Sequence, residues 1–153
     1  MRHDPKLLLA VIAMTAGLLV TDWSQAADPI TANNAWVRAT MPGQKVGAAY
    51  LDLQSTVDTT LIRVESPVAE SVELHSMTMN NGVMEMRMLD RMALPAAKTV
   101  KLAPGGNHLM LFGLKQPLQK GTQVPLTLHF RYADGKPGKL ELNAPVKAVA
   151  HQH

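Results

Sequence analysis

From Ala27 onward the chain alternates apolar and polar side chains with a period of two, and turn residues interrupt the alternation at short intervals. No stretch shows the three-and-four spacing of an amphipathic helix. The pattern predicts strands over 34–40, 47–54, 60–65, 71–77, 83–89, 99–102, 108–114, 124–132 and 139–143. Between them stand Met41-Pro42-Gly43, Ser66-Pro67, Asn80-Asn81-Gly82, Pro104-Gly105-Gly106, Lys120-Gly121 and Asp134-Gly135-Lys136-Pro137-Gly138, all with turn chemistry. Short strands at this spacing predict an all-β antiparallel sandwich or barrel. The residues from Val146 to His153 read as a frayed tail, so the domain spans 27–146 and the tail 147–153.

Alternation also assigns faces. Glu73, His75 and Met77 share one side of their strand, opposite Val72 and Leu74. Met84, Met86 and Met88 share a side of the next strand, and Asn80-Asn81-Gly82 is a tight turn that predicts a hairpin between the two. Farther on, His108, Met110 and Phe112 lie opposite Leu109 and Leu111.

Residues before Ala27 break the pattern. Arg2 and Lys6 precede an apolar run from Leu7 to Val20, and Ser24-Gln25-Ala26 supplies small residues where a signal peptidase cuts, so 1–26 reads as a signal peptide. The run is shorter than the roughly 20 residues of a spanning helix, so no stable membrane insertion is expected after cleavage. A lipid anchor through cysteine is ruled out by the lack of that residue. The expected compartment is the bacterial periplasm, an oxidising space in which thioethers survive better than thiols.

Composition narrows the function classes. At 153 residues, 46% of them hydrophobic, the chain fits one domain with a real core. Aromatic residues make up only 4%, which leaves little to stack on bases, and the net charge of +3 comes from dispersed Lys and Arg, so no nucleic-acid partner is expected. No nucleophile and base set, phosphate-binding glycine loop or paired carboxylates suggest an enzyme.

The candidate chemistry lies between His75 and Met110, which holds seven of the ten methionines and two of the six histidines. Thioether and imidazole donors in a chain without cysteine point to a soft ion, Cu(I). Taken singly, Met84, Met88 and Met92 read as core filler and His129 as a hydrogen-bonded or exposed residue; the joint occurrence of the group is what packing does not explain. His151 and His153 form a second imidazole pair in the tail, suited to weak Cu(II) recruitment.

His75, ten residues, Met86, twenty-one residues, His108, one residue and Met110 form a spacing that resembles the signature of the periplasmic PCu(A)C copper chaperones. The blocks Ala35-Trp36-Val37-Arg38, Gly47-Ala48-Ala49-Tyr50-Leu51, Val72-Glu73-Leu74-His75, Asn81-Gly82-Val83-Met84 and Pro104-Gly105-Gly106-Asn107-His108-Leu109-Met110 resemble that family's in the same order. The resemblance implies a cupredoxin-like Greek-key β-sandwich that binds one Cu(I) through His75, Met86, His108 and Met110, with Met77 a less clear participant. It also implies delivery to a copper-accepting subunit of a haem-copper oxidase, at its two-copper centre, or to a Sco-type protein. The alternative is a periplasmic copper storage or resistance protein.

Overall fold

The computed structural model describes residues 27–148; the leader at 1–26 and the tail histidines His151 and His153 lie outside the described residues. Ten strands follow one another in the described residues: β1 (Ile30–Arg38), β2 (Val46–Ser55), β3 (Thr59–Glu65), β4 (Ser71–Asn80), β5 (Val83–Leu89), β6 (Met92–Leu94), β7 (Thr99–Leu102), β8 (His108–Phe112), β9 (Gln123–Tyr132) and β10 (Pro137–Lys147). Side by side they run β5, β4, β8, β2, β1, β10, β9, β3 and β6, with β7 also on β2. Val64 of β3 sits opposite Val72 of β4, which closes the path into a ring. The β1 and β10 pair is parallel, and the other pairings are antiparallel.

Alternation explains the core. In β9 the side chains of Val124, Leu126, Leu128 and Phe130 are buried, whereas Gln123, Pro125 and Arg131 face solvent. Leu109 and Leu111 of β8, Ala49, Leu51 and Leu53 of β2 and Leu74 of β4 join the same cluster. Fully burying each such leucine stabilises the fold by about 1.5–3 kcal/mol before entropy is counted. Pro125 is tolerated in β9 because the β3 pairing stops at Thr127, so no neighbour on that side needs its missing N–H; its carbonyl accepts from Ser66 Oγ at 2.7 Å.

Several strand ends differ from the sequence reading, and three differences matter here. Strand β1 begins at Ile30 instead of 34, and a bulge around Asn34 (φ 52°) puts an extra residue between Asn33 and Trp36. Strand β6 was not foreseen, because Met92–Leu94 is too short to display alternation. At the other end β10 continues to Lys147: Val146 is buried and pairs with Val37, and Lys147 pairs with Arg38, so these two residues belong to the sheet and not to a frayed end.

Candidate metal centre

Strand β4 lies between β5 and β8, and directly opposed residues of an antiparallel pair share a face. His75 therefore shares a face with His108 on one side and Met88 on the other. One step toward the start of β4, Glu73 is opposite Met110; one step beyond His75, Met77 is opposite Met86; at the tip, Met79 is opposite Met84. The β4–β5 hairpin turns through Asn81 (φ 50°) and Gly82 (φ 78°), the left-handed pair that a two-residue turn of this hand requires.

The two histidines form the inner part of the site. Their ring centroids are 5.9 Å apart and their planes inclined by 28°. His108 is buried, and its Nδ1 donates to the carbonyl of Gly106 at 2.9 Å, which fixes the tautomer and leaves Nε2 with a lone pair. His75 Nε2 donates to Glu73 Oε2 at 2.8 Å. In the neutral ring this places the lone pair on Nδ1, which is buried and has no hydrogen-bond partner. A buried acceptor without a partner is costly in a finished fold, and a bound metal ion would satisfy it. The Phe112 ring, 6.1 Å from that of His75, walls the site.

Thioethers surround this pair unevenly. Met110 is half-buried beside a cavity lined by Arg38, Thr40 and Lys45. Met86 is 49% exposed and Met88 58% exposed. In a flat sheet, with strands about 4.8 Å apart and residues about 3.4 Å apart, Cα of Met86 and Cα of Met110 would be roughly 17 Å from each other, at opposite corners of the histidine pair. Both can meet one ion at the histidines only if the hairpin curls toward β8. Met88 stands immediately beside His75 in the register. Core filling holds for Met92, which is buried, but not for Met84 or Met88, which face solvent because β5 is an edge strand. His129 is hydrogen-bonded, to Glu65 at 2.7 Å.

Sequence reasoning put Glu73 on the histidine face but gave it no role. It also overlooked an aromatic group on the same face. The bulge in β1 brings Trp36 opposite Tyr50, with ring centroids 4.6 Å apart, and the Arg38 guanidinium lies over Tyr50 at 5.8 Å. Pairing of β2 with β8 sets Ala48 opposite Met110 and Ala49 opposite Leu109, so Tyr50 comes level with His108 and the aromatic pair flanks that histidine on its far side. Among the described residues no three His, Asp or Glu side chains are grouped to hold a metal, and the residues level with or next to the histidine pair on this face include Met88, Met86 and Met110.

The sequence model of the LpqE-like lipoprotein family matches residues 30–146. Lxx21020 of Leifsonia xyli subsp. xyli, which also carries a lipoprotein name, is 38% identical over 124 residues, covering 79% of this chain and 71% of its own length. Among solved structures, the Cu(I) form of DR1885 from Deinococcus radiodurans is similar at 34% identity and a TM-score of 0.60, with 81% of each chain covered. The copper-bound PCuAC domain of PmoF2 is similar at 25% identity and a TM-score of 0.64, over 81% of this chain and 97% of that domain.

Proposed function

Because this chain belongs to the LpqE-like family, and shares the all-β, cupredoxin-like fold of PCuAC domains, we propose that it is an extracytoplasmic carrier of Cu(I). Its cargo is one Cu(I), held by His75, His108, Met86 and Met110, with the hairpin curling toward β8 as the ion enters. The observation that carries this reading is the histidine pair: two opposed imidazoles, each with one nitrogen engaged by a protein acceptor and the other left with a lone pair. Imidazole contributes affinity, and thioethers favour the reduced, soft ion. Neutral sulfur donors can also be replaced stepwise by a recipient's cysteine or histidine, which suits a protein that must release what it binds. The protein is a binding protein and not an enzyme.

Residues 1–26 act as a cleaved leader in this reading, and the working compartment is the periplasm. The lipoprotein name of the relatives finds no cysteine in this sequence to carry a lipid. The recipient is the copper-accepting subunit of a haem-copper oxidase, or a Sco-type protein upstream of it. Mixing Cu(I)-loaded protein with the apo copper domain of an oxidase without oxygen should move the ion to that domain. Retention by the donor, with an affinity above the acceptor's, would favour storage instead.

A further inference from the structure

The β4–β5 hairpin carries more methionine than the histidine pair uses. Met79 is 67% exposed and Met84 53% exposed, directly opposite each other, and Met77 lies one step inward on the same face. The other face of the hairpin bears Ser76, Thr78, Asn80, Glu85 and Arg87 with a single apolar residue, Val83, and Arg87 is paired to Glu85 at 3.1 Å. At the tip neither face is buried, so burial did not sort thioethers to one side and polar groups to the other. An edge strand is ordinarily protected by charge on its exposed side chains, and here one whole face has sulfur instead. Packing thus gives these residues no task.

We infer that Met77, Met79 and Met84 form a second Cu(I) site at the hairpin tip, separate from the histidines. Cross-strand neighbours hold their Cβ atoms about 5 Å apart, and the diagonal from Met77 to Met84 is about 7–8 Å. Three rotatable bonds per methionine let the three sulfurs close on one ion. The site has no imidazole, so it binds more weakly than the inner one and exchanges faster. Met86, opposite Met77, lies between the tip and His75, so an ion bound at the tip is one rung from the inner site. The tip is thereby a loading station. The tip site rests on the proposed function for the presence of Cu(I) in the same compartment, and its loading role rests on the inner site as well; its residues are different.

Anaerobic titration of the protein with Cu(I) against a colorimetric Cu(I) chelator tests this, read together with the methionine ε-methyl resonances. The parent should take two equivalents, the second surrendered at lower chelator concentration, and the methyls of Met77, Met79 and Met84 should shift with that second equivalent. Met79→Leu with Met84→Leu should lose the weak equivalent and keep the tight one. His75→Ala with His108→Ala should do the reverse. A single equivalent in the parent with unmoved tip methyls, as a protein-docking face would give, would overturn the site. So would loss of both equivalents in the histidine variant, since the tip would then be part of the inner site.

Discussion

Glu73 accepts a 2.8 Å hydrogen bond from Nε2 of His75, two residues along the same strand and on the same face. That bond selects the His75 tautomer whose buried Nδ1 has a lone pair and no partner. Carboxylates that fix a ligating imidazole in this way usually account for 10–100-fold of metal affinity. Glu73→Ala should therefore weaken Cu(I) binding by about that factor while the fold stays intact. Ring nitrogen shifts of His75 should change from one tautomer to a mixture. Unchanged shifts with unchanged affinity would make Glu73 an ordinary surface carboxylate.

The donor set predicts metal preference. Zinc is bound by thiolate, imidazole and carboxylate, and a thioether offers it little. With the Glu73 carboxylate engaged by His75 Nε2, the donors left beside the two histidines are thioethers, so the protein should hold Cu(I) far more tightly than Zn(II). Competition between the two ions under anaerobic conditions measures this, and comparable affinities would contradict a sulfur-containing site.

The strands and the histidine face were legible because they depend on alternation alone. Once Leu109 and Leu111 are assigned to the core, His108 and Met110 must face the other way, and the structure places them so. What alternation does not encode is which strands become neighbours. That β4 separates β5 from β8 is a property of the topology, and it decides that Met86 and Met110 fall on opposite sides of His75, while the two-residue turn at Asn81 and Gly82 sets Met88, not Met86, level with His75. The Trp36 and Tyr50 pair was hidden for a related reason: the extra residue at Asn34 resets the register of β1, and one asparagine in left-handed conformation leaves no periodic trace. Exposure of Met84 and Met88 likewise follows from β5 lying at an edge.

Gly113 ends β8 with φ of 64°, and a Cβ there would come within 2.6 Å of the Glu70 carboxylate end. The Glu70 side chain can swing aside, but the left-handed backbone costs a non-glycine residue about 1–2 kcal/mol. Gly113→Ala should lower the unfolding free energy by about that amount, measured by denaturant titration. Because Glu70 N–H also donates to the Phe112 carbonyl at 2.9 Å, the loss should be accompanied by faster amide exchange where β4 meets β8. Unaltered stability would show that the turn relaxes without strain.

Register and spacing make different demands on the thioethers, and leucine variants separate them. Met86 and Met88 are both solvent-exposed, so replacing either with leucine should change stability by no more than about 0.5 kcal/mol. Met110 is half-buried, and its replacement should cost less than about 1.5 kcal/mol. A change in Cu(I) affinity in these variants therefore reports ligation and not folding. If the hairpin curls as proposed, Met86→Leu and Met110→Leu each weaken the tight site, and Met88→Leu leaves it as it was. If the hairpin does not curl, the ion is held beside His75 by Met88, and Met88→Leu is the variant that loses affinity while Met86→Leu does not. Parent-like binding in both Met86→Leu and Met110→Leu would remove those two residues from the site, whatever Met88 does.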